Sequence, residues 1–109
     1  MSAPDVRKIA RGIQRFGSPW KLTVLAYLGE KPLRFNEILR SGEGDGLNAR
    51  TLSRVLRDLA LQGLVNREVL GTQPIAVQYT LTERGKRLGS LLMVFRDLEL
   101  DRDLHEVQL

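Results

Sequence analysis

Four residues at helical spacing carry the most suggestive chemistry in this sequence. Arg50, Ser53, Arg54 and Arg57, at steps of three, four and seven from the first, share one face of a helix. Leu52, Val55, Leu56 and Leu59 fall on the other side. A guanidinium group is a planar fork of N–H donors that matches phosphate oxygens and, bidentately, the O6 and N7 edge of guanine. Ser53 adds a hydroxyl within reach of a base or a phosphate. Asn48 stands where it would cap this helix, and Thr51 belongs to the same first turn, whose free backbone N–H groups favour phosphate.

A charged face opposite an apolar one describes almost any surface helix. This face differs in lacking acidic partners, since Asp58 lies off it, and like charges crowded together are unfavourable unless something anionic binds. Leu61 falls in the same angular sector as the arginines and is out of character there. Further on, Arg67, Thr72 and Gln73 suit contacts to backbone phosphates or the minor groove, and Arg84, Lys86 and Arg87 follow. A plain solvated hairpin is the competing account of that stretch.

Other chemistries find little support. No cysteine is present, which excludes disulfides, thiolate metal sites and thiol nucleophiles. The single histidine, His105, sits with Asp101, Asp103 and Glu106 in an acidic segment, read as a solvated tail rather than a metal site. Gly42, Gly44 and Gly46 lack the following lysine and preceding strand of a nucleotide-binding loop. The expectation is therefore a non-enzyme that takes no cofactor and no metal.

Charge supports a polyanionic partner. The net charge is +4, thirteen of the 17 basic residues are arginine, and residues 101–109 carry −2, leaving +6 on residues 1–100. No apolar run approaches the roughly 20 residues of a membrane span, and the N-terminus lacks a signal-peptide pattern, so a cytoplasmic location is expected.

The elements that must position these residues follow from periodicity and punctuation. Ser2 and Asp5 open a first helix with Val6, Ile9, Ala10 and Ile13 on one side and Arg7, Lys8, Arg11 and Arg15 on the other. Ser18 and Pro19 start a second, striped by Trp20, Val24, Leu25, Tyr27 and Leu28 and ended by Gly29. Lys31 to Leu33 form a short extended piece, and Phe35, Ile38 and Leu39 fit a brief third helix. Ser41 to Gly46 predicts a mobile turn. The fourth helix runs from Ala49 to Gln62 and stops at Gly63.

Leu64–Leu70 and Ala76–Leu81 predict a β-hairpin with its tip at Gly71 to Pro74. A last helix runs from Glu83 to about Leu100 with Leu88, Leu91, Leu92, Phe95 and Leu98 in one stripe, more apolar surface than one small domain can cover. The predicted fold is mainly α with a small hairpin: a winged helix-turn-helix of five helices and a two-stranded wing. Residues 1–100 form this one domain, and 101–109 an acidic, frayed tail.

Five stretches in order resemble the HxlR-type branch of winged-helix regulators, near the MarR and PadR groups, over roughly residues 16–92. They are Gly17-Ser18-Pro19-Trp20 with Leu22 to Leu28; Arg34 to Ile38; Arg50 to Leu59; Gly63 to Arg67; and Pro74 through Val77, Tyr79, Leu81, Thr82, Glu83 and Gly85. The resemblance implies a homodimer held by the first and last helices through Val6, Ile9, Ile13, Leu88, Leu91, Leu92, Phe95 and Leu98. It also implies a groove-reading helix over residues 49–62 and a wing over 64–81.

The chain departs from that pattern in three places. It has none of the N-terminal cysteine often used there for sensing, Pro19 replaces a usual basic residue, and the glycine loop is about two residues longer. The expected function is sequence-specific binding of double-stranded DNA as a homodimer that regulates transcription, with no membrane partner. The alternatives are a low-specificity architectural DNA binder and a protein-interaction winged helix in a larger assembly.

Overall fold

The computed structural model describes the backbone of residues 1–108 and the side chains of residues 1–102. Helix α1 spans Ala3–Phe16 and opens on a capping box: the Asp5 amide donates to Ser2 Oγ at 3.3 Å and the Ser2 amide to Asp5 Oδ2 at 3.2 Å. None of its residues is buried. Helix α2, Pro19–Glu30, buries Val24, Leu25 and Leu28.

Strand β1 is the pair Leu33–Arg34, and α3 follows directly as Phe35–Gly42. Helix α4, Ala49–Leu61, buries Leu52, Val55, Leu56 and Leu59. Strands β2 (Val65–Thr72) and β3 (Ile75–Leu81) form the hairpin, and α5 spans Glu83–Gln108. The core joins α2, α3, α4 and the base of the hairpin through Leu33, Ile38, Leu47, Leu64 and Val65 together with the buried residues of α2 and α4.

Several details differ from the sequence-based expectation. The extended piece at Leu33 is a third strand: Leu33 pairs with Tyr79 and Arg34 with Gln78, so the sheet order is β1-β3-β2. The hairpin strands also run closer to the tip, leaving only Gln73 and Pro74 between them, with an irregularity between Val69 and Gly71.

The glycine loop is a turn, as expected, and a hydrogen-bonded one. Glu43–Asp45 make one turn of 3-10 helix, the Gly46 amide donates to the Glu43 carbonyl at 3.1 Å, and the Leu47 amide to the Gly42 carbonyl at 3.0 Å. Gly42 packs so closely that a Cβ would lie 2.7 Å from Leu47 Cδ2, and Gly46 has φ of 94°, open chiefly to glycine. Finally, α5 continues past Leu100, because residues 101–108 contain neither glycine nor proline to end it.

Candidate nucleic-acid interface

The site is built on α4, which the core holds by its leucine side. Asn48 Oδ1 accepts from the Thr51 amide at 2.9 Å and fixes the helix start. Leu47, just before this cap, and Leu52, the fourth helical residue, are both buried in the core, the positions of a hydrophobic staple. With the inner face fixed, Arg50, Ser53, Arg54 and Arg57 are all exposed and together line one open depression.

Among the described residues no carboxylate pairs with Arg50, Arg54 or Arg57; the ion pairs are Lys86–Glu83, Arg96–Asp97 and Arg102–Glu99. Helices α1, α3 and α5 each carry an acid in the first turn, whereas α4 has none and places Arg50 there. The positive end of the helix dipole thus adds to three unneutralised cations. This is a surface whose own electrostatics are relieved by an anion.

The hairpin extends that surface. Arg67 and Tyr79, paired across β2 and β3, line a second depression with Phe35, Ser53, Arg57 and Leu61. Ser53 and Arg57 belong to both depressions, so helix and wing form one continuous face. Leu61 is 80% exposed at the end of α4. Thr72 and Gln73 are exposed at the outer end of the wing. Arg84 and Arg87 instead line a separate depression with Phe16, Leu64, Leu88 and Leu91, and Lys86 pairs with Glu83 at 3.3 Å.

The residues expected at a dimer contact fall into two groups. Val6, Ile9 and Ile13 of α1 and Leu91, Phe95 and Leu98 of α5 are exposed. Leu88 and Leu92 are half-buried against the chain's own core. Sequence reasoning missed the exposed apolar residues of the wing, Val69, Leu70 and Ile75. Among the described residues no group of acids and histidines is placed to hold a metal, and the side chain of His105 lies outside them.

This combination of helices and wing defines a winged helix-turn-helix protein. A family model for the HxlR-like helix-turn-helix matches residues 15–102, and the chain belongs to that family. A curated relative, an HTH-type transcriptional regulator of Methanothermobacter thermautotrophicus, is 41% identical over 80 residues, covering 73% of this chain and 60% of the relative. A crystal structure described as a MarR-family transcriptional regulator from Enterococcus faecalis V583 superposes with a TM-score of 0.84 at 28% identity, covering 100% of this chain and 97% of the other. The reduced form of the transcriptional regulator YodB from B. subtilis gives 0.73 at 28% identity, covering 89% and 90%. The family and these relatives are regulators of transcription, not enzymes.

Proposed function

We propose that the chain binds double-stranded DNA sequence-specifically as a homodimer and thereby regulates transcription. Helix α4 enters the major groove, where arginine forks read guanine, and the wing follows the backbone toward the adjacent minor groove. The observation behind this reading is the set of exposed guanidinium groups of Arg50, Arg54 and Arg57, without an acidic partner among the described residues, on one face of a helix clamped from behind.

The dimer rests on α1 and α5. Helix α1 is amphipathic yet has no fully buried residue, only Phe16 at its end packing against the core, and α5 exposes Leu91, Phe95 and Leu98. Two-fold pairing through these stripes would set two α4 helices about one DNA turn, roughly 34 Å, apart. No helix among the described residues is long and apolar enough to cross a membrane. A DNA-reading role places the chain with the chromosome in the cytoplasm.

Selection of bound duplexes from a random pool tests the reading. The expected product is a pseudo-palindrome with half-sites about 10 base pairs apart, its affinity falling steeply with salt. A pool that yields no consensus at physiological salt contradicts sequence-specific binding.

A further inference from the structure

The outer wing is built unlike the phosphate-binding surface beside it. From Val69 to Thr82 the chain has no charged residue, so Arg67 is the last cation before the tip. Strand pairing sets Thr72 opposite Ile75, Val69 opposite Val77 and Arg67 opposite Tyr79, placing all six side chains on the sheet face that lines the depression beside α4. Ile75 is 73% exposed and Val69 55%. Glu68 is turned to the other face, where its carboxylate accepts from Gln78 Nε2 at 3.1 Å and Thr80 Oγ1 at 3.3 Å.

Resting on the DNA-binding role proposed above, we infer that the tip reads A·T-rich minor groove beside the half-site by uncharged contact, with Ile75 as the residue that discriminates. The ladder advances four residues from the Arg67–Tyr79 pair to the Thr72–Ile75 pair, the bulge between Val69 and Gly71 absorbing one, which carries the tip about 14 Å beyond Arg67, more than the ~12 Å width of the major groove. Arg67 then stands at the phosphate wall, and the tip lies over the next groove. There a G·C pair projects the guanine 2-amino group, a donor that a branched apolar side chain can neither pair nor accommodate, whereas A·T presents only acceptors that Thr72 and Gln73 can meet.

The test uses the selected operator with its flanks built as A·T, as inosine·C or as G·C; inosine lacks the 2-amino group and keeps the major-groove edge of guanine. The full-length protein should bind the A·T and inosine·C forms alike and the G·C form about tenfold more weakly, the order of one mismatched base pair. Ile75→Ala, at an exposed position, should lose most of that discrimination and leave the slope of log affinity against log salt unchanged. Arg67→Ala should keep the discrimination and reduce the slope by about 0.9. Equal binding of all three flanks, inosine·C behaving as G·C, or unchanged discrimination in Ile75→Ala overturns the inference while leaving the DNA-binding role intact. Absence of duplex binding by the unaltered protein at low salt overturns that role itself.

Discussion

The exposed face of α4 crowds three like charges, an arrangement unfavourable in the free protein. Arg50 and Arg54 stand four residues apart, Arg54 and Arg57 three, and none has an acidic partner among the described residues. Arg54→Ala should therefore leave the free protein as stable or more stable by about 0.2–0.5 kcal/mol, the size of a like-charge pair on a helix. Chemical denaturation checks this, and a marked destabilisation would mean that Arg54 has a structural role. The arginine face was legible from spacing alone, since helical periodicity puts those four residues together whatever surrounds them. The burial of Leu47 was not. A lone leucine between a glycine and a cap looks like loop, and only the turn closed by Gly42 and Gly46 folds it inward. The exposure of Ile75 was hidden for a related reason: the sequence pattern starts the second strand at Ala76, and only the pairing with Thr72 brings Ile75 into the strand, on the face of Tyr79 and beyond the core.

At the scale of elements, caps and punctuation placed the helices well, while pairing between distant segments had to come from the structure. Nothing local in Leu33–Arg34 announces a partner in β3. Thr82 caps the start of α5: its hydroxyl accepts from the Gly85 amide at 3.0 Å and donates to the Gly63 carbonyl at 2.6 Å. Thr82→Val should cost about 1–2 kcal/mol, seen as a lower Tm. At the start of α1, hydrogen bonds from the Ser2 side chain and then its backbone hold the Asp5 carboxyl below its ordinary value of 3.8. A lowered folded value means that the cap's contribution is present above the ordinary value and is lost as pH falls through the lowered one. Amide exchange in the first turn of α1 should therefore quicken with acidification relative to Asp5→Asn, after correction for intrinsic rates. Parallel profiles in the two proteins would remove Asp5 as the cause.

The whole molecule spans 56 × 39 × 22 Å, with α1 and α5 carrying apolar stripes that its own core does not cover. Surplus apolar residues were visible in the sequence, but which of them remain exposed was not: Leu88 and Leu92 turn partly inward. On the proposed arrangement, Ile9→Asp with Phe95→Asp should yield a folded monomer in sedimentation. Such a monomer should bind a half-site weakly and lose the preference for two spaced half-sites. A double variant that stays dimeric would place the interface elsewhere.

The most direct measurement compares Arg54→Ala with the unaltered protein on the selected operator and on unrelated duplex, by titration at one fixed salt concentration. Base reading by α4 requires a loss of about 1–3 kcal/mol on the operator and a smaller loss on unrelated DNA. Equal losses on both duplexes, or no loss on either, would be incompatible with an arginine face that reads sequence.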